Sequence, residues 1–256
     1  MSWARQIHIK GPAELQIMRE AGRINASVLA TVREHLKPGV STADLNAAAE
    51  DVLKKHGCVS PFKGYGHPPF PSSITVSINQ ELVHGIPSKS RKLKTGDIVS
   101  IDCGTMFDGF VADSAFSAGV GEISPEAQKL LQITEGSLRA GIDAMRVGNR
   151  TGDISAAIQN YVESHGYYVT REYTGHGVGR QMHEGPQVPN YGKPGSGMLL
   201  KAGMTIAIEP MVLVGTAETR VLPDQWTVVS ADGSLTAHFE HSVAVTEGEP
   251  LILTVQ

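Results

Sequence analysis

Two aspartates, Asp102 and Asp113, lie on opposite arms of a predicted β-hairpin whose turn is Asp108-Gly109. A turn centred on that dipeptide pairs Asp102 with Ala115. It also pairs Asp113 with Gly104, whereas a turn centred one residue earlier pairs the two aspartates directly. Either register places both carboxylates on one face, where they need a counter-ion unless one of them is protonated. The alternative is a pair of ordinary loop or edge aspartates.

Two glutamates occupy similar apolar surroundings in the second half of the chain. Glu209 ends the apolar stretch Met204–Ile208, and Glu240 lies inside another predicted strand with His238 and Ser242 on its face. An unpaired carboxylate is costly to bury. The four carboxylates together carry a charge of −4, which two divalent cations would balance, so the sequence predicts a site for two metal ions.

Three histidines are candidates for the same site. His176 and His183 lie in the glycine-rich segment Tyr173–Glu184, where glycines allow the backbone to approach a site closely. The segment lacks both the HExxH spacing of zinc peptidases and the lysine of a phosphate-binding loop. The alternative for each is a buried or surface histidine without a catalytic role. His84 follows a predicted strand, and nothing in its local sequence assigns it a role.

The chain contains a weak internal repeat. Segments Gly39–Gly57 and Gly148–Gly166 align without a gap at an offset of 109 residues. Each copy predicts a helix, with Thr42 or Thr151 as its N-cap and a glycine after its last turn. A repeat of this length predicts two halves related by pseudo-symmetry, with a cleft where they meet.

Helices precede strands in each half. Helical periodicity covers Ala13–Leu36 and Pro125–Met145 ahead of the two repeat copies. β-Branched strands follow the copies, at Ile74–Ile78, Ile98–Ile101 and Thr227–Val229. This order predicts an α+β fold in which the helices cover one face of a sheet.

Composition narrows the class of protein. The 256 residues are 41% hydrophobic and 19% charged, which is typical of a globular protein. No linker divides them, so we expect one catalytic domain over 1–256, with halves of about 1–120 and 121–256. The two cysteines, Cys58 and Cys103, fit neither a zinc finger nor a disulfide framework and are expected to be small buried side chains.

Charge and hydropathy indicate where the protein acts. The net charge of −4 argues against nucleic acid as the main partner, because phosphate binding needs a basic surface. No apolar run is long enough for a transmembrane helix, and the N-terminus lacks the apolar core of a signal peptide. We therefore expect a cytoplasmic protein without a membrane partner.

These motifs resemble those of the type I methionine aminopeptidases, and the similarity runs from Met18 onward. The motifs that carry it are Ser77–Pro87, Asp102 with Asp113, Gly175–Glu184, Ile208–Met211 and Glu240-His241. The resemblance implies the α+β pita-bread fold, a pseudo-two-fold arrangement in which helices cover the outer face of an antiparallel sheet. The helical insertion of type II members is absent from the sequence.

The resemblance also implies a set of metal ligands. It assigns two divalent ions to Asp102, Asp113, His176, Glu209 and Glu240, with Asp113 and Glu240 bridging the pair. Carboxylate-rich ligation with one histidine suits Co, Mn, Fe or Zn. The sequence does not distinguish among these metals.

Catalytic and substrate-binding roles follow from the same resemblance. His84 would contact the substrate amide or the attacked intermediate, His183 the scissile carbonyl, and Glu209 would act as general base and then acid. The residues expected around the substrate, besides the two histidines, are Trp226, Tyr65, Phe62, Phe70 and Met182. The segment Gly66–Phe70 resembles an insertion, and Met182 stands where an aromatic residue is common, so the sequence leaves open which side chains line the methionine pocket.

The expected activity is removal of the N-terminal methionine from peptides and nascent proteins when the second residue is small. A monomer is expected, and association with the ribosome would suit that substrate. One alternative is a proline-directed peptidase of the same fold, such as prolidase or aminopeptidase P, although these usually carry an extra N-terminal domain. A second alternative is a catalytically inactive binding protein, which would have lost metal ligands that this chain retains.

Overall fold

The computed structural model describes residues 7–256. Within that range the chain forms four α-helices, which are α1 Pro12–Glu34, α2 Thr42–Lys55, α3 Pro125–Asp143 and α4 Thr151–Ser164. The strands of its first half are β1 Thr75–Ile78, β2 Glu81–Val83, β3 Ile98–Phe107 and β4 Phe110–Gly119. The later strands are β5 Tyr168–Val169, β6 Thr174–Gly177, β7 Glu184–Pro189, β8 Thr205–Ile208, β9 Met211–Leu213, β10 Thr219–Val221, β11 Val228–Ser230, β12 Thr236–His238, β13 Glu240–Ala244 and β14 Leu251–Ile252.

The predicted helices form, but the expected N-caps are wrong by one residue. Thr42 and Thr151 are the first residues of α2 and α4, and the N-caps are Ser41 and Arg150. The Ser41 hydroxyl accepts a hydrogen bond from the backbone N–H of Asp44, as a capping residue should.

The two threonines instead join each helix to a later segment. The Thr42 hydroxyl donates to the carbonyl oxygen of Ser88, and the Thr151 hydroxyl accepts from the backbone N–H of Met198. The backbone N–H of each threonine also donates across the same gap, to Arg91 and Met198 respectively. The repeat in the sequence therefore corresponds to a repeated tertiary contact.

A central antiparallel sheet carries the site. Its strands lie in the order β1-β3-β4-β13-β8-β6-β7, with β14 paired to β13. Two smaller sheets, β10-β11-β2 and β12-β9-β5, complete the β structure of the described residues. This arrangement confirms the predicted fold, an α+β pita-bread with helices packed on an antiparallel sheet.

The two faces of the sheet have different chemistry because side chains alternate along a strand. On β3, the buried side chains of Ile101 and Cys103 belong to the main apolar core beneath the helices. Asn25 of α1 donates a hydrogen bond to the carbonyl oxygen of Cys103. The side chain of Asp102 points to the opposite face, on which Gly104 also lies. Burying one aliphatic side chain such as Ile101 stabilises a fold by roughly 1.5–3 kcal/mol, so the helix face supplies stability and leaves the other face for chemistry.

Both cysteines are buried and free, as expected. None of the helices within residues 7–256 has the length and apolar character that crossing a membrane requires. The expected boundary near residue 120 falls between β4 and α3, and the division into two halves of one domain stays a prediction.

Candidate metal centre

The hairpin of β3 and β4 adopts the first of the two predicted registers. Asp102 pairs with Ala115, and Asp113 pairs with Gly104. The two carboxylates therefore lie on the same face, two pairs apart along the ladder. Gly104 leaves room there, because a Cβ at this position would lie 2.8 Å from the ring of Phe62.

Neighbouring strands bring the other ligand candidates to that face. Glu240 on β13 pairs with Ala115, directly beside the hairpin. On the far side of β13, Ala207 of β8 pairs with both Ser242 and His176. Glu209 follows the last residue of β8. Adjacent strands of one sheet thus present four acids and one histidine to a common volume.

Distances between these side chains are those of potential ligands to shared ions. Possible ligand atoms of Asp113, His176 and Glu240 all lie within 4.8 Å of one another. His176 Nε2 is 3.4 Å from Glu209 Oε1. All three of the grouped side chains are buried, so water cannot screen the charges effectively.

Several buried polar atoms of the cluster have no hydrogen-bond partner in the described structure. They are Asp102 Oδ1, Asp113 Oδ1, Glu240 Oε1 and His238 Nε2. Buried polar atoms in native proteins normally have a hydrogen-bond partner. Carboxylate oxygen and imidazole nitrogen are the ligand atoms that divalent metals bind in carboxylate-rich sites. The cluster therefore fits metal binding.

Electrostatics support the same conclusion. Burial, with repulsion from the neighbouring carboxylates, raises the pKa of Asp102, Glu209 and Glu240 well above their ordinary values. Burial raises the pKa of Asp113 to about 7. Without a cation these acids are held protonated near neutral pH, and a bound cation would favour their charged forms.

The histidines around the cluster are neutral for a related reason. Burial lowers the pKa of His84 and His176 to about 4, of His238 to about 3 and of His183 to about 2. A neutral imidazole carries one N–H donor and one acceptor nitrogen. Each ring can therefore bind a metal or a substrate atom at neutral pH without first losing a proton.

These shifts predict the pH dependence of the metal-free protein. Below pH 6.5, the folded carboxyls bind more protons than the unfolded ones, whereas the folded histidines bind fewer. The two kinds of group therefore change the free energy of unfolding with pH in opposite directions. As the pH rises above 6.5, the unfolded histidines also lose their protons, so the carboxyls, which still bind more protons when folded, come to dominate the slope. The melting temperature of the metal-free protein should therefore fall as the pH rises through about 7 toward about 8. Calorimetric melting across this range tests it, and a melting temperature that rises would contradict it.

A cavity of about 320 Å³ adjoins the cluster. Every residue predicted around the substrate lines it, namely His84, His183, Trp226, Tyr65, Phe62, Phe70 and Met182. The five predicted metal ligands lie at its wall as well. The structure thus brings the whole predicted set together, and the role of each residue stays a prediction.

His183 contacts both a predicted metal ligand and an aromatic side chain of the cavity. Its ring centroid is 4.4 Å from that of His176, and its Nδ1 lies 2.7 Å from the hydroxyl oxygen of Tyr65. This contact with Tyr65 fixes one ring nitrogen, which leaves Nε2 to face other partners.

His84 reaches the cavity from a left-handed backbone position. Its φ is +61°, which few residues other than glycine adopt, and such positions are enriched at functional sites. Gly85 anchors the turn, since its N–H donates to the Ser77 hydroxyl and its carbonyl accepts from the Val76 N–H. The His84 ring stands edge-on to Tyr173 at a centroid distance of 5.8 Å.

The segment that resembles an insertion forms one wall of the cavity. The indole N–H of Trp226 donates to the carbonyl oxygen of Pro68 at 3.0 Å, and Phe70 packs against the indole at a centroid distance of 5.2 Å. Gly66 lies under the same ring, where a Cβ would come within 2.5 Å of it. The buried side chains of Phe62, Phe70 and Met182 form a small apolar cluster separate from the main core.

Sequence reasoning gave no role to two residues at the cavity. Tyr173 begins the glycine-rich segment, and its aromatic character was the only available signal. His238 Nε2 lies 3.9 Å from Glu209 Oε2 and 3.8 Å from Glu240 Oε2. Its position two residues before Glu240 on an alternating pattern placed it on the right face, but the alternation carried no information on the distance to Glu209.

Comparisons with known proteins agree with this geometry. The model of metallopeptidase family M24 matches residues 16–247. The chain is 51% identical to a methionine aminopeptidase of Clostridium acetobutylicum, over 97% of this chain and 99% of the relative. It is 52% identical to methionine aminopeptidase 1 of Bacillus subtilis, over 96% and 98%. A crystal structure of methionine aminopeptidase from Thermotoga maritima superposes with a TM-score of 0.96 at 43% identity, covering 98% of this chain and all of that one.

Proposed function

Because the chain belongs to metallopeptidase family M24, we propose that it releases the N-terminal methionine of peptides and nascent proteins when the second residue is small. Metal-dependent removal of N-terminal methionine is its activity, in keeping with relatives about half identical over nearly the whole chain. We add three details to this activity as proposals: the preference for a small second residue, the substrate contacts and the number of ions. Action in the cytoplasm as a monomer, with contact to the ribosome, belongs to the same proposal.

The observation that carries the proposal is the buried acidic cluster beside an aromatic cavity. We assign Asp102, Asp113, His176, Glu209 and Glu240 as ligands of two divalent ions. Four carboxylates match the charge of two such ions, and three of the acids have buried oxygens that lack a hydrogen-bond partner. When bound, the ions supply Lewis acidity and lower the pKa of water.

The side chains of this chain then divide the remaining work. Glu209 is buried, and its raised pKa suits a group that accepts a proton and returns it to the leaving amine. His183 is neutral and donates a hydrogen bond to the scissile carbonyl oxygen, where negative charge develops in the transition state. His84 faces the peptide from the opposite wall and hydrogen-bonds to the amide that is cleaved.

The aromatic wall accounts for the choice of methionine. Phe62, Phe70 and Met182 pack together next to Trp226, and they form an apolar slot. A flexible thioether packs well against aromatic rings. A charged first residue would have to be desolvated there without a partner, which is costly.

Limits on the second residue come from the two histidines. His183 is close enough to His84 for a charge on one to lower the pKa of the other. The side chain that follows methionine must pass between these rings and the turns that carry them. The resemblance to the type I methionine aminopeptidases implies that glycine, alanine, serine, threonine, cysteine, proline and valine are accepted as second residues, and the two histidines supply a physical cause.

Tripeptide hydrolysis tests the proposed function. We expect Met-Ala-Ser to be cleaved well, its norleucine analogue to be cleaved within about 10–200-fold, and Lys-Ala-Ser and Met-Lys-Ser not to be cleaved at a comparable rate. The measurement is kcat/KM for each peptide, with an Xaa-Pro peptide included. Comparable values for Met-Ala-Ser and Met-Lys-Ser would indicate a broad aminopeptidase, and preference for the Xaa-Pro peptide would indicate a proline-directed enzyme.

A further inference from the structure

A buried ion pair outside the metal cluster joins the start of the described chain to the loop that carries His183. Lys10 Nζ lies 2.6 Å from Glu184 Oε2, and both side chains are only 3% exposed. Lys10 is also held through its backbone N–H, which donates to the carbonyl oxygen of Gly203 at 2.8 Å. A buried ion pair gains little net stability over apolar side chains, so its presence calls for another explanation.

The second carboxylate oxygen of Glu184 holds the turn before it. Glu184 Oε1 accepts a hydrogen bond from the backbone N–H of Gln181 at 3.2 Å. Met182 and His183 are the two residues enclosed by that contact. The carboxylate therefore closes a short turn whose tip presents His183 to the cavity, and Lys10 holds the carboxylate that closes it. We call residues 178–184 the histidine loop.

Close packing shows that the loop is built around this pair. A Cβ at Gly179 would lie 2.5 Å from Lys10 Cε and 2.7 Å from Glu184 Oε1. Only glycine leaves the space that the ammonium and the carboxylate occupy. The loop backbone is fixed on its other side, because the carbonyl oxygen of Gly179 accepts from the Val111 N–H at 2.7 Å.

A second ion pair connects the same two segments at the surface. Arg180 Nη2 lies 3.1 Å from Glu14 Oε1, but the two side chains are 62% and 35% exposed. Exposed pairs contribute about 0–1 kcal/mol at most sites, and this one does not touch the turn at Gln181. It provides a matched control for the buried pair.

We propose that Lys10 and Glu184 are positioning residues, which set the angle at which His183 meets the scissile carbonyl. This inference rests on the proposed function, in which His183 contacts that carbonyl. Loss of Lys10 leaves Glu184 as an unpaired buried carboxylate, which would turn away toward another partner and release the Gln181 N–H. The enzyme would keep its predicted metal ligands but present His183 poorly.

The first experiment compares Lys10→Met with Arg180→Met. For Lys10→Met we expect kcat on Met-Ala-Ser to fall by about 10–100-fold, since misplacement of a catalytic group by about 1 Å can cost 10²-fold. The affinity for Mn²⁺, measured by calorimetry, should change by less than about threefold, because none of the predicted metal ligands lies in the turn. Hydrogen exchange at the Gln181 amide should become faster. Arg180→Met should change none of these quantities, and equal effects of the two variants would overturn the proposal.

A double-mutant cycle separates positioning from a merely structural role. In a His183→Ala background, Lys10→Met should change kcat by less than about twofold, because the group that it positions is already missing. A purely structural contribution would lower kcat equally in both backgrounds and would refute the proposal. Wild-type kcat in His183→Ala alone would refute the proposed role of His183, which is a different result from normal kcat in Lys10→Met.

The double variant Lys10→Met/Glu184→Met, in which both charged side chains are replaced by apolar ones, tests the proposal if Lys10→Met alone folds poorly. Without a buried charge, this variant should melt near the wild type, as apolar replacements of buried ion pairs commonly do. Its kcat should remain low, because the Gln181 N–H still lacks its acceptor. A stable double variant with wild-type kcat would overturn the proposal.

Discussion

Removal of divalent metal should abolish methionine release and lower the melting temperature of the protein. The five predicted ligands include four carboxyl groups with raised pKa values, so the metal-free fold holds acids that repel one another or must be protonated. An ion that binds only the folded state stabilises it by about 4 kcal/mol at about 1,000 times its Kd. Melting and turnover, measured with a chelator and after back-addition of Mn²⁺, Co²⁺ or Zn²⁺, test this expectation. Full turnover in a verified metal-free sample would exclude the metal mechanism.

Glu240→Gln and Glu122→Gln are matched variants for this experiment. Glu240 is 2% exposed within the cluster, whereas Glu122 is an exposed acid outside it. Glu240→Gln removes a buried carboxyl that must either be protonated or repel its neighbours, so the metal-free protein should melt at a higher temperature while losing the increase that metal provides. Glu122→Gln should leave both temperatures unchanged. If metal raises the melting temperature of Glu240→Gln as much as that of the wild type, Glu240 is not a ligand.

His84→Ala and His176→Ala should lose activity for different reasons. His176 Nε2 lies 3.4 Å from Glu209 Oε1, so its loss should weaken metal binding together with turnover. His84 packs instead against Tyr173 and Trp226, at ring-centroid distances of 5.8 and 6.1 Å. Its loss should lower kcat by about 10²–10⁴-fold, the usual contribution of a proton-transfer or hydrogen-bonding group, and spare the metal.

Metal titration by calorimetry, together with kcat, distinguishes the two roles. His35→Ala is the control, because His35 is exposed at the end of α1 and its ring nitrogen bonds to the carbonyl oxygen of Thr31, far from the cavity in sequence and on its own helix. It should leave both quantities unchanged. Equal loss of metal in His84→Ala and His176→Ala would show that the division between ligand and substrate contact is wrong.

The features of the site that could be predicted from the residues alone are those set by local turn preferences and strand periodicity. The Asp108-Gly109 turn, with the two-residue period of strands, left two registers, both of which place Asp102 and Asp113 on one face, and the structure adopts the first. The N-caps failed for a tertiary reason, because Thr42 and Thr151 bond to distant segments and the preceding residues take the capping positions. Local propensity cannot anticipate such competition.

Other features depend on pairs far apart in the chain. Lys10 and Glu184 are separated by 174 positions, and neither lies in a motif that suggests the other. The contact between Trp226 and Pro68 spans 158 positions and decides how the inserted segment folds against the cavity. One sequence contains no signal for such pairs, whereas the resemblance to a family predicts which residues are the ligands.

The position of β13 has a consequence for the order in which the protein is made. This strand lies between β4 and β8 in the central sheet, yet it follows both of them in the chain. Until that segment leaves the ribosome, the facing edges of β4 and β8 have no partner, and unpaired edges invite association with other chains. The two edges can be bridged only after β13 has been synthesised, and the same strand carries Glu240. Completion of the central sheet and completion of the predicted metal site are therefore the same step.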